Sequence, residues 1–170
     1  MPRPIALRAN VASLAEANTA LALGADGIGL IRTELLFAAH RLAPSVDEQL
    51  ATYKRFLLTF GDHPVTFRLF DAGGDKTLAF LPGAAEPRGI ARLRAHPAVL
   101  ASQLAALSEL PRARVRILVP FVESPLDLDL SDAPFPVGAM IESAAGVRAA
   151  DAIAARAAFI SIGTNDLTAS

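Results

Sequence analysis

The 170-residue sequence has no cysteine, which excludes disulfides, zinc–thiolate centres and thiol nucleophiles outright. It also lacks a strong charge of either sign. A net charge of -1 argues against general affinity for nucleic acid or anionic membranes, so any selectivity for anions has to be local. No segment reaches the ~18 uninterrupted apolar residues of a membrane helix. No apolar run follows Met1-Pro-Arg-Pro4 as a secretory signal would require, and the expectation is a cytoplasmic chain. Internal repeats and low-complexity linkers are missing too. What the sequence does have is a 52% hydrophobic share, much of it alanine. At this length that suffices for one domain with a real core, expected to span residues 1–170.

The order of elements reads as strand and helix in alternation. Ile5–Val11 is a first strand, and Ser13 with Glu16 forms a capping-box pattern for a helix to about Leu23. Gly27–Ile31 is the next apolar run. Ser45 and Glu48 repeat the capping signature before a helix that places Tyr53, Phe56, Leu57 and Phe60 on one face and ends at Gly61. A strand follows at Val65–Phe70, then Gly73-Gly-Asp-Lys76 and a turn-rich stretch at Pro82–Arg88. Pro97 opens a helix to about Leu107. Val115–Val119 and Val137–Ile141 are further strands. Between them, proline and aspartate leave no room for a solid helix. Ser143–Ala157 reads as helix by propensity despite Gly146. This alternation predicts a parallel sheet with right-handed crossovers.

The last stretch, Phe159-Ile-Ser-Ile-Gly-Thr-Asn-Asp-Leu-Thr168, reads as a buried strand whose glycine turns the chain and leaves Asn165 and Asp166 at the tip. Earlier strands deliver Arg32, Arg68, Asp71 and Glu142 to the same end, which suggests an anion and metal site where α/β proteins place their chemistry. Six strands are read, whereas a closed (β/α)8 barrel needs eight and ~250 residues. The expected fold class is therefore α/β, an incomplete (β/α)8 TIM-type barrel of about six parallel strands, ending after the sixth. Open edges at the first and sixth strands predict a homodimer.

Five segments resemble the phosphoenolpyruvate-binding barrel domain shared by enzyme I of the sugar phosphotransferase system, pyruvate phosphate dikinase and phosphoenolpyruvate synthase. They are Gly24-Ala-Asp-Gly-Ile-Gly-Leu-Ile-Arg-Thr-Glu34 with Leu36-Phe37, Phe67-Arg-Leu-Phe-Asp-Ala-Gly-Gly-Asp-Lys76, Arg88-Gly-Ile90, Gly138-Ala-Met-Ile-Glu142 and Ser161-Ile-Gly-Thr-Asn-Asp-Leu-Thr168. They occur in the family's order over nearly the whole chain. The resemblance implies that Arg32, Arg68 and Arg88 grip the phosphate and carboxylate of phosphoenolpyruvate, a task suited to planar, permanently charged guanidinium groups. It implies that Glu142 and Asp166 hold Mg²⁺, that Asn165 donates to the phosphate, and that the reaction is phosphoryl transfer. The acceptor would be a histidine-bearing phosphocarrier domain supplied in trans. Departures are present as well. The family protonates the departing enolpyruvate with a late cysteine, absent here, and Ser143-Ala144 replaces its usual hydrophobic residue and proline.

Other readings of the same residues stay open at this point. Arg32 could pair with Glu34 or Asp26, Arg68 could face a helix layer, Arg88 could lie on a solvated face, and Asp166 could cap a helix beginning at Leu167. Asp71, Asp75 and Lys76 either serve the site or shape the glycine turn. His40, His63 and His96 read as surface or packing residues, and Asp127-Leu-Asp129 as solvated loop. Two functions are compatible with this: a phosphoenolpyruvate-dependent phosphotransferase domain that needs further parts, or a degenerate non-catalytic paralogue acting as a phosphoenolpyruvate sensor or interaction module.

Overall fold

The computed structural model describes residues 5–72, 78–82, 87–130 and 133–169. Six parallel strands form one sheet: β1 (Ala9–Val11), β2 (Ile28–Ile31), β3 (Val65–Arg68), β4 (Val115–Val119), β5 (Val137–Ile141) and β6 (Phe159–Ile162). Their spatial order is the chain order, β1 to β6, with no reversal. A doubly wound sheet reverses its strand order at a switch point, whereas a barrel never does. The sheet is a curled half-barrel, as the strand count predicts.

Helices cover the outer face. α1 (Leu14–Ala22) starts where the Glu16 N–H donates to Ser13 Oγ at 3.2 Å. α3 (Val46–Phe60) has the full capping box: Glu48 N–H donates to Ser45 Oγ and Ser45 N–H to Glu48 Oε2. It buries Gln49, Tyr53, Phe56, Leu57 and Phe60 against the sheet. Burying each large apolar side chain contributes roughly 1.5–3 kcal/mol. α5 (Pro97–Ser108) packs on α3 and begins at the expected proline. Two helices had no sequence signal: α2 (Thr33–Leu36), a single turn directly after β2, and α4 (Gly89–Ala95).

Four expectations are modified. The sixth strand is a half-exposed edge and not a buried strand, with Ile160 and Ile162 both exposed. The first strand joins the ladder only from Ala9. Asp26 takes the Leu7 N–H with its carboxylate at 2.7 Å, and Ile5 and Leu7 stay exposed. The helix expected at 143–157 is interrupted at Ala149, giving α6 (Ala144–Arg148) and α7 (Ala150–Ala154). Its glycine has a packing reason, since a Cβ on Gly146 would lie 2.6 Å from the Val122 carbonyl. Between β4 and β5 there is a 3-10 turn, Pro125–Leu128, in place of a helix. Asp127 is not loosely solvated there. It accepts the Glu123 and Ser124 N–H groups at 3.0 and 2.9 Å and meets Arg94 Nη1 at 3.1 Å.

The two faces of the sheet bury different amounts. The outer face holds the main core, around Tyr53, Phe56, Phe67, Phe70, Ile90 and Ile117. The inner face carries a small separate cluster of Leu30, Leu118 and Met140 with Phe159 packed against it. No helix among the described residues is long and apolar enough to cross a membrane.

Candidate functional site

At the C-terminal ends of the strands a pocket of about 260 Å³ opens on the inner face. Four of the six strands, β2, β3, β5 and β6, end on or lead into a residue of the site. β2 runs out at Ile31 and delivers Arg32, after which the single turn of α2 buries Thr33 and Glu34. β3 ends on Arg68, itself buried, with Asp71 three residues on. β5 leads into Glu142, and β6 leads through Gly163 into α8 (Thr164–Ala169), whose first turn carries Asn165 and Asp166. The pocket is lined by Arg32, Arg68, Glu142, Asn165 and Asp166 together with Asn10 from β1. Arg88, at the N-terminal boundary of α4, lies outside the lining but donates from Nη2 to Asp166 Oδ1 at 2.7 Å. All six residues expected from the sequence are thus joined through one pocket or one ion pair to it.

The alternative partners proposed for Arg32 are occupied elsewhere: Glu34 pairs with Arg68, and Asp26 holds Leu7. Among the described residues Arg32 itself pairs with Glu16, at 3.9 Å, in an exposed setting. Such a pair is worth little, on the order of 0–1 kcal/mol. Arg68 is held differently. Its Nη2 meets Glu34 Oε1 in a short charge-assisted bond and Asp71 Oδ2 at 3.2 Å, and Nη1 lies 3.5 Å from Met140 Sδ. Burial opposes the Arg68 charge, but Glu34, Asp71 and Glu142 outweigh it and its pKa is raised. Burial raises the Glu34 carboxyl against the opposing pull of Arg68. Asp71 is therefore more than a turn former, while Asp75 and Lys76 lie outside the described residues. Asp166 lies within the first turn of α8, not ahead of a helix starting at Leu167.

Glu142 is pushed up to about 7. Burial is the main cause and Asp71 adds to it; the Phe121 N–H and Arg68 pull the other way, and Asp166 raises it further. Phe121 carried no sequence signal beyond following Pro120. It has φ 52, a left-handed conformation rare for a bulky residue. That turn aims its N–H at Glu142 Oε1, 2.8 Å away, and sets its ring under the Arg88 guanidinium at 4.6 Å. Two glycines permit these approaches. A Cβ on Gly89 would lie 2.4 Å from Phe121 Cβ, and one on Gly163 would lie 2.7 Å from Glu142 Oε2. Asn10 and Phe121 are the site residues that sequence reasoning missed. Asn10 could have been found from its alternation with Val11 on a strand known to be inward-facing.

Three buried donors around the site, the Nε–H groups of Arg32, Arg68 and Arg88, have no hydrogen-bond acceptor among the described residues. Buried donors of this kind cost about 1–3 kcal/mol each unless an acceptor reaches them. The histidines stand apart. His40 and His63 pack edge-on against Phe37 and Phe60, and the His96 ring contacts the Arg92 carbonyl.

With this geometry in view, the comparisons with known proteins are direct. The family described as PEP-utilising enzyme, PEP-binding domain, matches residues 3–170. The chain belongs to this PEP-binding domain family. Among its relatives, a phosphoenolpyruvate-protein phosphotransferase of Streptomyces coelicolor is 35% identical over 96% of the chain and 32% of its own length. Multiphosphoryl transfer proteins of Rhodobacter capsulatus and Xanthomonas campestris are 36% and 37% identical over 94% and 96% of the chain, in each case 22% of their own length. This PEP-binding domain chain therefore spans a fifth to a third of the length of these three relatives.

Proposed function

We propose that the strand-tip pocket binds phosphoenolpyruvate together with Mg²⁺, as the substrate-binding module of a phosphoenolpyruvate-dependent protein phosphotransferase. The observation that carries this is the convergence of Arg32, Arg68, Glu142, Asn165 and Asp166 on one pocket, with Arg88 tied to Asp166. The unsatisfied arginine Nε–H groups are donors of the kind that phosphate and carboxylate oxygens accept.

The charge balance supports a cation. Three guanidinium groups (Arg32, Arg68, Arg88) face four carboxylates (Glu34, Asp71, Glu142, Asp166), so a multiply charged anion gains little until a divalent ion shifts the sign. The donor set fits Mg²⁺. Glu142 and Asp166 line the same pocket, and Mg²⁺ is usually held by one or two carboxylates, with substrate oxygens and water completing the octahedron. Glu142 is a carboxylate whose charge is disfavoured by burial and by Asp71, and a cation relieves that cost. Glu142 and Asp166 would hold the ion, which when bound neutralises charge on the transferring phosphoryl group.

The chain's own residues then do the positioning. Arg68, locked between Glu34 and Asp71, presents a fixed fork. Arg32, held weakly, can swing to meet the substrate, Asn165 donates its amide, and the Phe121 ring keeps Arg88 on Asp166. Phosphoryl transfer draws most of its rate from such placement. The acceptor in this reading is a histidine of a separate phosphocarrier domain, in a cytoplasmic setting, and the chain pairs with a second copy. A second reading, binding without turnover, is favoured by the shortened crossover between β4 and β5, where the 3-10 turn Pro125–Leu128 stands in place of a helix. The two are separated by mixing the chain with phosphoenolpyruvate, Mg²⁺ and a histidine phosphocarrier. Pyruvate release supports transfer, binding without pyruvate supports the second reading, and no binding by the folded chain overturns both.

A further inference from the structure

Just behind Arg68 lies a buried polar network that the sequence analysis did not anticipate. β3 stops at Arg68, and Leu69 makes the last ladder bond, its N–H donating to the Leu118 carbonyl at 3.0 Å. This leaves the Arg68 carbonyl and the Phe70 N–H to be satisfied by side chains. Thr33 Oγ1 donates to the Arg68 carbonyl at 2.7 Å, and the Phe70 N–H donates to Gln103 Oε1 at 2.9 Å. Gln103 Nε2 donates to Thr33 Oγ1 and to the Tyr53 hydroxyl, both at 3.2 Å. The Tyr53 hydroxyl donates to Gln49 Oε1 at 3.0 Å, and Gln49 Nε2 ends the chain on the Pro44 carbonyl and Ser102 Oγ. Gln103, Thr33, Tyr53 and Gln49 are all fully buried.

The bond directions allow one arrangement. The Phe70 N–H can only donate, so it fixes the Gln103 oxygen on its side and turns the amide nitrogen toward the two hydroxyls. Each hydroxyl, having accepted, must donate onward: Thr33 to Arg68 and Tyr53 to Gln49. A satisfied network of this kind rigidifies what it holds, and a half-satisfied one is costly. What it holds is the backbone on both sides of Leu69, which carries Arg68 and Asp71, and the first residue of α2, next to Glu34. These three side chains form the buried ion cluster of the site.

We propose that Gln103 is a positioning residue. Standing on α5 in the outer helix layer, it touches no ligand-facing atom, yet it sets the Arg68 guanidinium through Thr33 and the end of β3. The proposal rests on the reading that Arg68 grips a phosphoenolpyruvate oxyanion, but the placement of Arg68 can be observed without any ligand.

The test uses the full chain with Gln103→Leu, Thr33→Val and Thr33→Ser, and with Val99→Ala as an α5 core control of comparable loss in melting temperature. Two readouts are taken: the ¹⁵N–¹H signal of the Arg68 guanidinium, and the Kd for phosphoenolpyruvate with Mg²⁺. In the native chain the Arg68 signal is expected to be dispersed and slow to exchange with water. Gln103→Leu and Thr33→Val should collapse it toward free arginine and raise Kd at least tenfold, whereas Thr33→Ser and Val99→Ala should leave both within twofold. If Gln103→Leu fails to fold, the Thr33 pair carries the same comparison. An unchanged Arg68 signal in Gln103→Leu or Thr33→Val, or an equal loss in Val99→Ala, overturns the proposal. A native chain that binds no phosphoenolpyruvate yet shows the collapse keeps the positioning role and removes the binding reading.

Discussion

Between the outer and inner faces of the sheet there is a division of labour. The outer face packs Tyr53, Phe56 and Phe67 under α3 and α5 at no exposure. Among the described residues the apolar cluster of the inner face is small, Leu30, Leu118 and Met140, and charged side chains gather at the strand tips beside it. Along β6, Ile160 and Ile162 remain 40% and 66% exposed. Stability therefore comes mainly from one face and chemistry from the other, and the two meet at Arg68.

The largest losses of stability are expected in the outer core. Phe67→Ala should destabilise the chain by about 3–5 kcal/mol, whereas Met140→Ala, in the small inner cluster, should cost about 2 kcal/mol, the low end for such a truncation. Urea unfolding of both variants checks the order, and equal losses would mean the faces are not separate. Arg68→Ala tests the meeting point. It strands Glu34 and Asp71 as buried charges, for an expected loss of about 3–5 kcal/mol. Arg32→Ala removes only an exposed 3.9 Å pair and should change stability by less than about 1 kcal/mol, while weakening phosphoenolpyruvate binding as much as Arg68→Ala does.

A pH series sharpens the contrast. The Glu142 carboxyl, raised from 4.5 to about 7 in the fold, holds a proton between those values that the unfolded chain has lost. Its contribution to stability is therefore full below pH 4.5, falls as pH rises to 7 and is flat above. Glu142→Gln should be more stable than the native chain at pH 8, by up to a few kcal/mol, and the difference should vanish at pH 4. Thermal unfolding against pH for both chains checks the sign, and a native chain that gains stability relative to the variant on going to pH 8 contradicts it. Mg²⁺ should narrow the gap at pH 8. The smallest effect is at the edge. Ile162→Lys should leave the melting temperature nearly unchanged yet reduce self-association in light scattering.

Much of this was legible in the sequence, for identifiable reasons. The capping boxes at Ser13 and Ser45 and the apolar face of α3 are local signals, and local signals placed the helices. The strand tips were readable because apolar runs end abruptly on Arg32, Asp71, Glu142 or the Gly163 turn, and Arg68 interrupts one of them. The hidden parts depend on contacts distant in sequence. Thr33 and Gln103 are 70 residues apart, so nothing local marks Gln103 as other than a solvated helix residue. Phe121 matters through a positive φ, which a phenylalanine codon does not advertise. The short ladder of β1 arises where the Leu7 N–H finds the Asp26 carboxylate, a tertiary partner that outweighs strand propensity.

The central claim is that the inner-face tips form a cation-dependent anion site that is separable from the core. Calorimetric titration of phosphoenolpyruvate into the native chain and Arg32→Ala, each with and without Mg²⁺, tests it most directly. The account expects binding by the native chain only with Mg²⁺, and its loss in an Arg32→Ala protein of unchanged melting temperature. Binding that ignores Mg²⁺, or survives Arg32→Ala undiminished, would contradict it.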